Sequence, residues 1–146
     1  NGLKELPLSA EIVAIHDGAR PMVTPDIIAK SIKLAKRVRA VVVGVPVKDT
    51  IKEVWTLDPV QRRGGLRTLD RTKLWAAQTP QVFAAQLIGR AYRGSVGREA
   101  TDDSMLVEKM GKPVSLMKGS YENFKVTTPE DLRLAEIILR RRKSGH

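Results

Sequence analysis

A continuous apolar run, Ile12-Val13-Ala14-Ile15, halts at the polar turn His16-Asp17-Gly18-Ala19-Arg20-Pro21. Unbroken apolar residues of this kind mark a strand covered on both faces, as in a parallel sheet, whose ligands gather beyond the strands' carboxyl ends. The period changes at Thr24. A capping hydroxyl, Pro25 at the first helical position, and Ile27, Ile28, Ile32, Leu34 and Ala35 at helical intervals predict a helix ending near Lys36. A second apolar run over 40–45, stopped by Pro46, returns the chain to a strand. Strand, helix, strand is the order of a right-handed crossover between parallel strands.

Residues 50–70 follow another pattern. Ile51, Val54 and Trp55 are apolar, Asp58-Pro59 and Gly64-Gly65 break the chain, and Leu66 to Leu69 is short and mixed, which predicts a projecting hairpin with Gln61-Arg62-Arg63-Gly64-Gly65 as its solvated tip. A lone two-stranded ribbon is marginal in water, so the arm should pack on its own body or on a second subunit. Pro80 closes the next segment, and 83–92 has helical periodicity. Either Thr101 or Asp102 can cap a helix carrying Met105, Leu106, Val107 and Met110, with Gly111 ending it. A strand over 114–117 and an extended piece over 123–126 follow, and Thr127-Thr128-Pro129-Glu130-Asp131 caps a terminal helix reaching about Arg142.

The 146 residues, 42% of them hydrophobic, suit one domain with a sizeable core. No stretch approaches the roughly 18 consecutive apolar residues of a membrane span, and no leader-like block is evident, so the expected setting is cytoplasmic. Without cysteine, the chain has no disulfide, thiolate metal site or cysteine nucleophile. Basic residues outnumber acidic ones by 26 to 16, and a formal charge of +10 attracts anions from nucleic acid to phosphorylated metabolites. The cations are dispersed and aromatics make up only 4%, whereas single-strand binders interleave basic groups with stacking rings. A nucleic-acid partner is therefore not expected.

Generic chemistry is scarce. No glycine-rich sequence leads into Lys-Ser or Lys-Thr, Gly111-Lys112 runs into Pro113, and the glycines at 94–97 follow no strand. With His16 and His146 as its only histidines, the chain cannot supply a multi-histidine metal site and offers little for a Ser-His-Asp triad. What remains stands at predicted strand ends: Asp17 and Arg20, Asp49 and Thr50, Asp70 and Arg71, Thr101, and Lys125 with Thr127. Asp17 and Arg20 suit either a ligand or a turn-capping pair, and each of the other groups alone fits a structural role. Together they supply cations and hydroxyls for a phosphate and carboxylates for sugar-like hydroxyls or a metal, the equipment of phosphoryl or nucleotidyl transfer.

The same residues carry a resemblance. His16-Asp17-Gly18-Ala19-Arg20-Pro21, Pro46-Val47-Lys48-Asp49-Thr50-Ile51-Lys52, Asp70-Arg71 leading to Leu74-Trp75 and Gln78-Thr79-Pro80-Gln81, Ala100-Thr101-Asp102-Asp103, and Phe124-Lys125-Val126-Thr127-Thr128-Pro129-Glu130-Asp131-Leu132 occur in the order and spacing of the 2-C-methyl-D-erythritol 4-phosphate cytidylyltransferases. Those blocks span nearly the whole chain, and the block at 46–51 favours this family over the similar ribitol 5-phosphate cytidylyltransferases. Gly18, where the family usually has Ala, and Phe124, where it usually has Ile, are small departures.

The resemblance implies an α/β, Rossmann-like nucleotide-diphospho-sugar transferase fold, with a mostly parallel sheet and a dimerising β-arm at 50–70. It implies transfer of CMP from CTP to 2-C-methyl-D-erythritol 4-phosphate in non-mevalonate isoprenoid synthesis, releasing pyrophosphate and using a divalent metal, usually Mg2+. By position, Asp17 would bind the polyol hydroxyls, Arg20 and Thr101 would shape that pocket, and Lys125 would meet phosphate. Thr50 and Arg71 would reach the substrate phosphate of a neighbouring active site in a homodimer. Thr79 would be a further contact or a structural hydroxyl, with Gly18 and Ala19 in the cofactor-binding turn. Lys125 and Arg71 are the expected catalytic cations, and no metal ligand is assigned.

Family members carry upstream a glycine-rich, basic loop for the CTP triphosphate, which these residues lack. The chain thus reads as the carboxyl-terminal portion of one cytidylyltransferase domain over 1–146, expected to be inactive alone. A ribitol phosphate acceptor, or a noncatalytic phosphate or nucleic-acid binding module whose affinity falls steeply with salt, are the alternative functions.

Overall fold

Thr24 stands in extended backbone, its hydroxyl accepts the N–H of Ile27, and Pro25 opens α1 (Pro25–Val38). The computed structural model describes residues 2–7, 9–58, 63–94 and 100–144. Ahead of α1 lies β1 (Ile12–Ile15) and after it β2 (Ala40–Pro46), the expected strand-helix-strand order. The helix runs on to Val38 and is closed by Arg39 in the left-handed region (φ 74°), whose N–H reaches the Ala35 carbonyl at 2.8 Å.

Asn1–Gly44 and Ala77–His146 form one compact unit and Val45–Ala76 a second. In the first, a sheet in the order β1-β5-β2-β6 includes β5 (Trp75–Ala84) and β6 (Ser115–Lys118). β2 and β6 are parallel, but β1 pairs antiparallel with β5, Val13 facing Phe83 and Ile15 facing Gln81. The α/β class stands with a mixed sheet, because β5 inserts between β1 and β2. That strand escapes a reading of hydrophobic pattern, since Gln78, Thr79, Pro80 and Gln81 interrupt its apolar residues and proline is rare in interior strands. For the same reason the helix expected over 83–92 starts later, as α2 (Ala85–Gly94), Phe83 and Ala84 being the end of β5.

Strand alternation then sorts the core. Val82 packs with Ala35 and Val41 against α1, and the next residue, Phe83, packs with Leu87, Ile88, Leu106 and Val107 of α2 and α3 (Asp103–Glu108) on the other face. β2 is the strand buried on both faces, from Ala40 to Val45. β1, expected to be covered likewise, is an edge strand of the described sheet with Ala14 exposed. A third cluster joins Met22, Phe124 and Val126 to Ala135 and Ile138 of α4 (Pro129–Ser144).

Asp102, not Thr101, caps α3, its carboxylate accepting the Met105 N–H at 2.9 Å. Gly111, at φ 68°, turns the chain after that helix. At the start of α4, Asp131 accepts the N–H groups of Thr127 and Thr128 while Thr128 Oγ1 accepts that of Asp131, a reciprocal cap. The Thr127 N–H, then that of Thr128, holds the Asp131 carboxyl below its usual range. Residues 123–126 join no strand and are fixed instead by the Val126 N–H donating to Ala19 O at 2.8 Å.

In the second unit, β3 (Lys52–Asp58) and β4 (Arg63–Thr68) pair antiparallel as the expected hairpin. Val54 faces Leu66 across the ladder, and these residues are 64% and 67% exposed. The Trp55 indole lies over Gly65, leaving no room there for a Cβ. Of the expected tip, Gln61 and Arg62 lie outside the described residues, as do residues 95–97 of the glycine segment and His146, while Arg63, Gly64 and Gly65 belong to β4.

Back in the first unit, Gly119 is where the loop after β6 closes on the sheet. Its N–H donates to Gly44 O at 2.7 Å, and an added Cβ would stand 2.5 Å from Gln78 Oε1 and 2.6 Å from Val43 Cγ1. Val43 and Gln78 are both buried, so neither can swing aside. Gly119→Ala should lower the unfolding free energy by about 1–3 kcal/mol in urea titrations, whereas the same change at Gly18, with nothing near its Cβ position, should leave it within about 0.5 kcal/mol.

Candidate functional site

The turn after β1 brings its polar groups back over the strand end. Arg20 N–H donates to Asp17 O at 3.0 Å, closing the turn, and the Asp17 N–H donates to Thr79 Oγ1 of β5 at 3.0 Å. His16 spans the same turn, with Nε2 at 3.1 Å from Arg20 O and Nδ1 at 2.9 Å from Thr79 Oγ1. Since a carbonyl only accepts, Nε2 is the donor to Arg20 O, and in that tautomer Nδ1 accepts a hydrogen bond from the Thr79 hydroxyl. The histidine is thus a brace for the turn.

Asp17 Oδ2 lies 3.2 Å from Arg20 Nε and 3.4 Å from Lys125 Nζ. Arg20 is the more enclosed cation, its side chain only 13% exposed, and its Nη1 donates to Asn123 O at 2.9 Å. The backbone bond from Val126 to Ala19 carries Lys125 up to the turn. Around them opens a cavity of about 380 Å³, lined by Asp17, Arg20, Thr79, Thr101 and Lys125 with Ile15, Ala77, Gln78, Gln81, Asp102 and Asp103. Cations sit beside carboxylates, so a ligand bearing both phosphate and hydroxyls finds partners for each.

The expected residues Asp17, Arg20, Thr79, Thr101 and Lys125 therefore share one cavity. Gly18 and Ala19 shape the turn without lining it, Ala19 through its carbonyl. Thr50 and Arg71 belong to the second unit, where Arg71 opens a short 3-10 turn capped by Asp70 and its Nη1 donates to Lys48 O at 2.7 Å. The Thr72 hydroxyl, then its N–H, keeps the Asp70 carboxyl below its usual range.

Several supporting residues carry no role in the sequence reading. Gln81, buried, accepts the Ser104 N–H with Oε1 and donates from Nε2 to Asp102 Oδ2, both at 2.9 Å, so it straps β5 to the start of α3. Gln78, also buried, donates to Ser120 O at 2.9 Å, and the fully buried Asn123 donates to Thr79 O at 2.8 Å. Their only signal is a run of amides and a threonine where a buried strand should be apolar. Asp103, which lines the cavity, accepts a hydrogen bond from Tyr92 OH.

Among the described residues, no group of three or more acidic or histidine side chains is arranged to hold a metal ion. Asp17 is already bridged by two cations, so the donor set does not amount to a protein cage for magnesium.

The Tyr92 contact sets a pH dependence. Its hydrogen bond to the Asp103 carboxylate, with burial second, pushes the Tyr92 phenol up to about 12, against about 10 in an unfolded chain. The native state keeps a proton that the unfolded state releases, so this stabilisation is full below pH ~10 and is lost as pH rises toward 12. Unfolding titrations between those pH values should show stability falling with pH, with a shallower slope in Tyr92→Phe. An unchanged slope in the variant would remove Tyr92 as the cause.

Residues 1–141 match the family described as IspD, 2-C-methyl-D-erythritol 4-phosphate cytidylyltransferase. The relative of that name from Clostridioides difficile is 53% identical over 145 residues, and the one from Alkaliphilus metalliredigens 48% identical over 147. These alignments cover 98% and 99% of the chain, which spans 59% of each relative's length. Among solved structures, the 4-diphosphocytidyl-2C-methyl-D-erythritol synthase of Anaerococcus prevotii superposes with a TM-score of 0.83 at 33% identity, covering 95% of this chain and 63% of that one. The cytidylyltransferase of Thermus thermophilus gives 0.80 at 36%, covering 94% and 65%. The fold is thus the Rossmann-like α/β fold of these enzymes, and the chain belongs to the 2-C-methyl-D-erythritol 4-phosphate cytidylyltransferase family.

Proposed function

We propose that these residues form the acceptor side of a cytidylyltransferase that joins CTP to 2-C-methyl-D-erythritol 4-phosphate in isoprenoid synthesis. One observation carries this reading: Asp17, held between Arg20 and Lys125, lines a single cavity with Thr79 and Thr101. Asp17 accepts from the polyol hydroxyls, Arg20 fixes its orientation, and Thr101 adds a hydroxyl at the wall. Lys125 is the compact charge that meets the acceptor phosphate, and Arg71 and Thr50, on the arm side, carry a forked cation and a hydroxyl to the acceptor phosphate of the neighbouring active site in a homodimer.

An oxygen of the acceptor phosphate attacks the α-phosphorus of CTP. A new P–O bond forms as the bond to the bridging oxygen of the β-phosphate breaks, and pyrophosphate departs with that electron pair. The nucleophile is already an anion, so no proton need be removed. The obstacle is repulsion between anions, which fixed cations reduce as they align the attack. Magnesium would enter on the phosphates of CTP, and Gly18 and Ala19 would face the nucleotide at the turn. CTP capture would fall to residues beyond these 146, leaving the chain alone inactive. Among the described residues no helix is long and apolar enough to cross a membrane.

A cytidylyl-transfer assay on the protein with its CTP-binding segment supplied tests the assignment. Lys125→Ala should lower kcat/KM by about 100-fold, Asp17→Asn should raise KM for methylerythritol phosphate above that for CTP, and the chain alone should show no turnover. Equal turnover with ribitol phosphate, or vigorous activity from the chain alone, would refute the reading.

The hairpin is the proposed dimer arm, because the cross-strand pair Val54 and Leu66 presents apolar surface that a partner subunit would cover. Sedimentation should give a dimer, and Val54→Asp/Leu66→Asp should shift it to monomer. A monomeric parent protein would sink the assignment.

A further inference from the structure

A second cationic cavity, of about 270 Å³, lies where α1 ends and the chain enters β6, walled by Val38, Leu87 and Pro113 and rimmed by Arg39, Arg90 and Lys112. It sits at the opposite end of the sheet from Asp17. Ile12 pairs with Ala84, whose N–H donates to Arg39 O at 2.8 Å, so the start of β1, the end of β5 and the start of β2 meet there, whereas Asp17 follows the end of β1.

No carboxylate lines this cavity. Among the described residues none of Arg39, Arg90 and Lys112 forms an ion pair, although Arg20, Lys30, Arg67, Lys73, Lys125, Arg141 and Arg142 all do. A cation near the carboxyl end of α1 suits the helix dipole, which accounts for Arg39 but not for Arg90, mid-way along α2, or for Lys112 in a loop. Arg39 occupies a left-handed position where glycine is the ordinary residue, and its backbone is pinned at both N–H and carbonyl, which fixes the root of its side chain. Arg90 is steadied by its Nε–H donating to Gln86 O at 3.3 Å.

We propose that Arg39, Arg90 and Lys112 form a second anion site that takes a small multiply charged phosphate compound of about pyrophosphate size. Gathered like charges repel one another, and an anion with two or more negative charges relieves that repulsion at all of them. The cavity is smaller than the ~300–1,000 Å³ usual for larger organic ligands, which favours a compact ion over a nucleotide. The site is independent of the acceptor pocket and of the function proposed for it.

Calorimetric titration with inorganic pyrophosphate, with sulfate as comparison, tests the site. Binding should persist in Arg20→Ala/Lys125→Ala, which disarms the acceptor pocket, weaken at least tenfold in Arg90→Ala/Lys112→Ala, and survive in Lys112→Arg. These side chains are exposed, so melting temperatures should be unchanged. The charge reversal Lys112→Glu, followed by phosphorus NMR line broadening of pyrophosphate, gives a second reading. Equal affinity in the parent and Arg90→Ala/Lys112→Ala, loss of all binding in Arg20→Ala/Lys125→Ala, or equal binding of sulfate would overturn the proposal.

Discussion

A strand buried in the middle of a sheet must satisfy every polar atom it carries from within the protein, and β5 carries Gln78, Thr79 and Gln81. Their partners are the parts of the pocket. Gln81 reaches the cap of α3, Gln78 reaches the loop after β6, and Thr79 binds the turn after β1 through its hydroxyl and Asn123 through its carbonyl. Elements distant in sequence are thereby tied to one strand, and the residues facing a ligand inherit their positions from it. An apolar β5 would still complete the sheet but would leave the turn, loop and helix cap without a common anchor.

That constraint also explains what the sequence hid. α1 was legible because its cap, proline and apolar spacing all obey local rules, and β2 because its run is unbroken. The hairpin was legible from its breaks. β5 was not, since polar residues and a proline are where tertiary partners override local pattern. Mistaking its last residues for the start of a helix, and missing the strand that stands between β1 and β2, follow from that single omission. The pocket lining was easier to read: Asp17, Arg20, Thr101 and Lys125 were marked as polar groups at predicted strand ends, and the family blocks added Thr79. The supporting amides had no such mark, because a buried glutamine looks like a surface one until its partners are known.

The charge balance acquires a local meaning. Asp17 and Lys125 are partly open to solvent, and an ion pair of that kind is worth at most about 1 kcal/mol. Exchanging it for contacts to the proposed phosphorylated polyol would therefore cost little, with the more enclosed Arg20 still holding the carboxylate. The arrangement is stable enough to be formed in advance and weak enough to yield to a ligand.

The outer rim of β1 has a further consequence. On one side this strand is paired to β5, while on the other the described sheet ends at Ile-Val-Ala-Ile, a rim with no proline, lysine or other charged residue to repel a stranger. Unsatisfied backbone donors and acceptors in such a row are a template for any extended chain that meets them. Its four residues offer room for one more strand, so β1 is the place where the described sheet can be extended by main-chain pairing alone.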